Sequence, residues 1–209
     1  IGDTGRGKTT FLSTFPKLRC FDFDGGLTSV RGRDFEYITY EDEEQGTTLK
    51  RPTAFDRFWS DWQEALKDEE LESLGIDSLS SLSECLMNTI LTNNNLYGKK
   101  PNWDHYEIFG SRMIRLLNTI KHAEKNIIVT AHPAMIKNDV SGALFVGPSI
   151  KGRKSLDPLK QTFDEVYIAN VEVVKGERVY SLQTVGNEYT CAKSRLAGSA
   201  GLLDIKEVP

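Results

Sequence analysis

The chain has few of the features that would announce a special environment. Three cysteines in 209 residues, Cys20, Cys85 and Cys191, show no C-x-x-C spacing, so neither a zinc knuckle nor a disulfide framework is indicated. They read instead as reduced residues, Cys20 and Cys191 within strand-like core runs, which fits a reducing cytosol. No apolar run is long enough to cross a bilayer, and no signal peptide is recognisable. Three histidines, His105, His122 and His132, show no metal-ligand spacing. No internal repeat, low-complexity tract or convincing linker is visible. The net charge is −4, so nothing global advertises a polyanionic partner and any such surface must be local.

What is present begins at the first residues. "IGDTGRGKTTF" contains Gly2-Asp3-Thr4-Gly5-Arg6-Gly7-Lys8-Thr9, which fits G-x-x-x-x-G-K-[ST] and is followed by Thr10. The pattern describes a phosphate cradle, in which successive backbone N–H groups converge on an anion at the start of a helix. In such a loop Lys8 reaches the β- and γ-phosphates, and the Thr9 hydroxyl ligates Mg²⁺. Arg6 lies inside the loop, although its side chain need not face the phosphates. The expected bound species are therefore ATP and Mg²⁺. A phosphate loop needs a buried strand at its entry, and only Ile1 stands before it, so a strand is expected upstream of Ile1.

Period and punctuation then divide the chain. Lys8 to Phe15 reads as a helix stopped by Pro16, and "LRCFDFDGG" as a mostly buried strand ending in carboxylates. "FEYITY" is a further strand, and "EDEEQGTTLKR" a solvated loop. From Pro52, Phe55, Phe58, Trp59, Trp62, Ala65 and Leu66 recur at helical intervals. "ESLGIDSLSSLSE" reads as a short strand passing into a loop and helix, with Gly75 interrupting the apolar run. "NTILTNNNLYGKKPN" is polar and punctuated, hence a surface loop. Tyr106, Phe109, Met113, Leu116, Leu117 and Ile120 mark another amphipathic helix, and "NIIVTAHP" a buried strand with a polar end. Residues 137–160 show little periodicity and read as mobile. "DEVYIANVEVVKGERVYSLQTV" is a hairpin turning at Lys175-Gly176. The expected architecture is one α/β domain over residues 1–209: a mostly parallel central sheet with helices on both faces, closed by an antiparallel hairpin.

Hydrolysis of a phosphoanhydride also needs a magnesium-shell carboxylate, a group that orients water, and positive charge near the γ-phosphate. Asp77, at the end of the "GIDS" strand with Ser78 beside it, suits the first, since ligands gather at the carboxyl edge of open α/β sheets. Asp22 and Asp24 alternate along their strand and share a face. Asp24, at the strand end, is the candidate general base, with Asp22 the fallback. His132 in "TAHP" is placed to sense the γ-phosphate through a hydrogen bond. Lys193 and Arg195, two apart in "AKSR", lie on one face if extended. Each of these has a plainer alternative as a cap or a solvated strand end.

Taken together these residues resemble the RecA-like P-loop NTPase core. More narrowly they resemble the phage-encoded nucleotide-binding family that includes the Sak-type single-strand-annealing ATPases. "GDTGRGKTTF" is similar to its Walker A, "FDFDGGL" to its carboxylate strand, "GIDSLSSL" to its Walker B, "NIIVTAHP" to its sensor strand, and "AKSRLAGSAG" to a K-x-R finger. The resemblance implies an ATPase acting on single-stranded DNA in annealing, strand exchange or recombination. It implies Lys193 and Arg195 acting in trans within a ring or filament, a possible single-strand-binding protein as partner, and a location in the host cytoplasm. Relatives commonly carry glutamate where this chain has Asp24. The stretch after the sensor strand holds DNA-binding loops in RecA-like proteins. Here residues 137–160 contain Lys137, Lys151, Arg153, Lys154 and Lys160 against Asp139 and Asp157, five positive less two negative for a local +3. Two alternatives remain open: a nucleotide-switched assembly module without DNA-dependent turnover, and a replicative helicase-like motor.

Overall fold

The computed structural model describes residues 1–137, 142, 144–152, 156–195 and 205–207. In chain order the elements are α1 (Lys8–Leu12), β1 (Leu18–Asp22), β2 (Glu36–Thr39), β3 (Glu44–Gln45), β4 (Thr48–Leu49), α2 (Ala54–Ala65), β5 (Ser73–Asp77), α3 (Leu79–Asn93), α4 (Trp103–Lys121), β6 (Asn126–Val129), β7 (Pro133–Lys137), β8 (Leu144–Pro148), α5 (Leu156–Thr162), β9 (Glu165–Val166), β10 (Ile168–Val174), β11 (Glu177–Gln183), β12 (Lys193–Ser194) and β13 (Ile205–Glu207).

Four strands form a parallel sheet in the order β2-β1-β5-β6. Their carboxyl ends are level, because Asp22 pairs with both Thr39 and Asp77, and Ile76 pairs with Val129. Beyond β6 the Gly2 N–H donates to the Ala131 carbonyl at 3.1 Å and the Ala169 N–H to the Ile1 carbonyl at 2.7 Å. The entry to the phosphate loop therefore lies between the end of β6 and the start of β10. The β10–β11 hairpin turns at Lys175-Gly176 as its sequence predicts, with both residues at positive φ.

The alternation within each strand sorts the two faces. Phe21, Leu74 and Ile76 pack with Phe58, Trp62, Leu82, Leu86, Phe109 and Leu116 from α2, α3 and α4. Cys20 and Leu18 face the other way, onto Leu12 of α1 and Leu27 and Val30 of a short 3-10 turn. Gly75 is explained by this second face. A Cβ there would lie 3.1 Å from both terminal methyls of Leu12, so its absence lets α1 sit close against the sheet.

Several expectations need correction. The helix after the phosphate loop ends at Leu12, not Phe15, because the Ser13 and Thr14 hydroxyls bond back to the Thr10 and Phe11 carbonyls at 2.8 and 2.7 Å. "EDEEQGTTLKR" is not wholly loop: β3 and β4 pair within it. "NTILTN" is the last six residues of α3, because Ile90 and Leu91 are buried with Met87 and the Thr89 hydroxyl finds partners in the Cys85 carbonyl and the Thr53 hydroxyl. Packing there overrides the polar composition. Tyr106 is 39% exposed, and His105 is the buried residue of that turn, its Nδ1 accepting from the Asn102 N–H in the cap of α4. Residues 137–160 include ordered elements, namely β7 (whose last residue is Lys137), β8 and the first residues of α5.

Candidate functional site

The phosphate loop has the backbone its glycines allow. Gly5 and Gly7 adopt φ of +76° and +79°, conformations that an L side chain rarely takes. Gly2 is required for another reason, since a Cβ would come within 3.0 Å of the Ala169 Cβ. The first helical N–H groups follow at Lys8 and Thr9. Lys8 Nζ donates to the Asp3 carbonyl at 2.9 Å, while Arg6 reaches the Val171 carbonyl of β10 at 3.3 Å and so braces the loop from behind. Burial holds the Lys8 ammonium below the ordinary lysine value, with the carboxylates of Asp77, Asp24 and Asp3 acting in the opposite sense. Thr4 and Gly5 are exposed, whereas Thr10 is half-buried, its carbonyl accepting from Arg33.

Two carboxylates stand opposite this loop. Asp77, 2% exposed at the end of β5, accepts from the Thr9 hydroxyl at 2.7 Å through Oδ2 and from the Thr130 hydroxyl through Oδ1. The phosphate-loop threonine and the strand-end aspartate are therefore already joined, the donor set expected of a magnesium shell. Asp24 lies just beyond β1, where the Phe23 and Asp24 N–H groups both donate to the Asp77 carbonyl, at 2.6 and 3.2 Å. Its Oδ1 accepts from the Ser78 hydroxyl at 2.9 Å and from Ser81, and its Oδ2 lies 3.0 Å from His132 Nε2.

The pairing of Asp22 with Asp24 resolves into separate roles. Asp22 is 1% exposed, and its Oδ1 accepts from the Asp24 and Gly25 N–H groups at 3.0 and 2.9 Å. It shapes the turn that presents Asp24. Burial pushes its carboxyl above the ordinary aspartate value.

Lys8, Thr9, Asp77, Asp24 and His132 are thus gathered at one sheet edge. Lys193 lies on β12, which pairs with β9 in a separate ribbon, and Arg195 directly follows it. The Arg195 guanidinium engages Asp164 at 2.8 Å and the Gln161 carbonyl at 3.4 Å. Burial, with Arg195 beside it, lowers the Lys193 ammonium pKa. Among the basic candidates, Lys137 is exposed at the end of β7 and Lys151 is ion-paired with Glu84 at 3.4 Å. Lys160 falls within α5, and Arg153 and Lys154 lie outside the described residues. Among the described residues no His/Cys/Asp/Glu cluster suits a structural metal, and no helix is long and apolar enough to cross a membrane.

Sequence reasoning missed three contributors. Thr130 is the second holder of Asp77, Ser81 the second holder of Asp24, and Tyr180 packs 3.3 Å from where a Gly7 Cβ would stand. The run of serines in "SLSSLSE" was the legible signal for Ser81; nothing local marked Tyr180.

Residues 1–196 match the family model described as an AAA domain. The chain belongs to the AAA-domain family. This AAA-domain protein is accordingly an ATPase with a P-loop core, its phosphate loop entering beside β6 of a parallel sheet. Among solved structures, it is similar to the KaiC-like protein PH0186 from the hyperthermophilic archaeon Pyrococcus horikoshii OT3, at 13% identity and a TM-score of 0.49, over 87% of this chain and 74% of that one. No curated protein matches it.

Proposed function

We propose that the protein is an ATPase that works on single-stranded DNA, assisting annealing, strand exchange or recombination in the manner of the phage-encoded ATPases its motifs resemble. The observation that carries the reading is the bond between His132 and Asp24 at 3.0 Å, with β7 beginning at the very next residue. A surface hairpin is thereby attached directly to the candidate catalytic carboxylate.

In this reading the main-chain N–H groups of residues 5–9 and Lys8 hold the phosphates of ATP, and Thr9 with Asp77 holds Mg²⁺. The ion supplies charge neutralisation on the phosphoryl oxygens. Asp24 orients the attacking water and takes its proton. Ser78 and Ser81 fix the carboxylate, and His132 reports the state of the site to β7. Lys193 and Arg195 act on the phosphate loop of a neighbouring subunit in a ring or filament. Lys137 and Lys151, with the flanking basic residues, track the DNA backbone. A single-strand-binding protein is a fitting partner for such an enzyme.

The test of the DNA assignment is salt-dependent binding. Wild-type protein with ATP should bind a single-stranded oligonucleotide with an affinity that falls as salt rises. Substituting Lys137 and Lys151 by alanine should flatten that slope by roughly 0.7 per lost phosphate contact on a single strand, with nucleotide affinity unchanged. Oligonucleotide binding indifferent to both substitutions would remove the hairpin from the interface.

A second reading is favoured by one observation. Both carboxylate oxygens of Asp24 are already engaged, Oδ1 by the Ser78 and Ser81 hydroxyls and Oδ2 by His132 Nε2, so an attacking water must compete with them. A nucleotide-switched assembly module, binding ATP and turning it over slowly without regard to DNA, would use such a site. Turnover that follows oligomer formation but not DNA would favour it.

A further inference from the structure

The cap and first residues of α3 carry serine at positions 78, 80, 81 and 83, and their hydroxyls are committed in pairs to two flanks of the site. Ser78 and Ser81, three residues apart, both donate to Asp24 Oδ1. Ser80 and Ser83, also three apart, turn to the other flank. Ser80 Oγ accepts the His132 N–H at 3.0 Å, and Ser83 Oγ accepts the Lys151 N–H at 3.2 Å while donating its own proton to the Ser80 carbonyl at 2.7 Å. Ser78, Ser80 and Ser83 are buried. Ser78 caps the helix, its hydroxyl also accepting the Ser81 N–H at 3.4 Å. Ser80, Ser81 and Ser83 inside it are poor helix formers, since their hydroxyls compete with the backbone. Helix formation therefore does not account for those three, whereas their partners do.

The partners form two ends of one structure. His132 immediately precedes β7, and its carbonyl accepts the Ser149 N–H at 2.8 Å just after β8, which closes the root of the hairpin. Lys151, two residues on, is held by Ser83 and by its ion pair with Glu84. The hairpin root is thus gripped on both strands by the same helical turn whose other flank grips Asp24. The His132 side chain adds a direct contact across the gap.

We propose that this serine turn is the coupling element between the β7–β8 hairpin and the catalytic carboxylate, with Ser81 a positioning residue for Asp24 and Ser80 and Ser83 positioning residues for the hairpin root. A rigid turn bonded to both transmits a displacement at either end to the other, so nucleotide occupancy alters the hairpin and hairpin occupancy alters Asp24. This rests on the ATPase assignment and on no particular hairpin ligand.

The experiment is hydrogen–deuterium exchange over β7 and β8, with and without ATPγS and Mg²⁺, in wild type, Ser80→Ala, Ser83→Ala and Ser80→Thr, beside nucleotide affinity for each. Nucleotide should slow exchange in the wild-type hairpin several-fold, and both alanine variants should lose that response while keeping nucleotide affinity within about threefold. Ser80→Thr, which retains the hydroxyl, should restore it. Ser81→Ala should lower kcat about tenfold with KM unchanged, as expected of a group that acts only through Asp24. A wild-type hairpin indifferent to nucleotide would overturn the proposal whether or not any variant folds, and so would an undiminished response in the alanine variants. Exchange coupling without any effect of DNA on turnover would instead sink the DNA reading and leave the coupling intact.

Discussion

Gly75→Ala tests the link between sheet packing and the phosphate loop. The added methyl would meet Leu12 Cδ1 and Cδ2 at 3.1 Å and Cγ at 3.2 Å, and Leu12 is fully buried, so no free rotamer space receives it. Forcing a methyl group into a filled core typically costs about 1–3 kcal/mol. Replacing a strand-interior glycine returns roughly 0.5–1 kcal/mol. The net expectation is a loss centred on about 1.3 kcal/mol, or a fall in Tm of roughly 2–5 °C for a chain of this size. Leu12 closes the helix that begins with Lys8 and Thr9, so relief of the clash by moving α1 should also weaken ATP binding. Thermal unfolding and nucleotide titration of Gly75→Ala, Leu12→Val and the double variant provide the assay. The double variant should recover part of both losses, giving a favourable coupling energy. An unchanged or raised Tm in Gly75→Ala, or strict additivity in the cycle, would refute the packing argument.

Other predictions concern the carboxylates and the cations Lys193 and Arg195. Thr130→Val leaves the buried Asp77 with the Thr9 hydroxyl as its remaining side-chain donor; loss of a bond to a charged group should cost about 1.5–3 kcal/mol in urea unfolding, and a change below 0.5 kcal/mol would contradict it. Asp22→Asn keeps the acceptor for the Asp24 and Gly25 N–H groups but removes the buried charge. Because the Asp22 carboxyl is raised on folding, its contribution is full below the unfolded-chain value near 3.9 and is lost as pH rises through the raised value. The variant should therefore gain stability relative to wild type as pH rises above about 4, and a flat or falling difference would contradict the assignment. Mixing Asp24→Asn subunits with Lys193→Ala/Arg195→Ala subunits should restore turnover that neither has alone, if those cations act in trans. Additive inactivity would confine them to their own chain.

Much of the site was legible because its signals are local. The glycine and lysine spacing of residues 2–9 specified the loop, and Asp24, Asp77 and His132 each stand at or just beyond the end of a strand of the parallel sheet. The level register of β1, β5 and β6 brings those ends together, which strand order alone decides. What escaped the sequence was set by tertiary partners. The end of α3 is composed like a loop, yet it is helical because Ile90 and Leu91 reach the core. Gly75 reads as a flaw in a strand until Leu12 is placed against it. Residues 137–160 lack periodicity because β7 and β8 form a short hairpin of their own outside the parallel sheet.

The central claim is most directly tested by ATP turnover with and without single-stranded DNA, in wild type and in Asp24→Asn. The account predicts turnover that DNA stimulates in wild type and that Asp24→Asn abolishes under both conditions with ATP still bound. Wild-type turnover that ignores DNA, or an Asp24→Asn variant that hydrolyses ATP as fast as wild type, would contradict it.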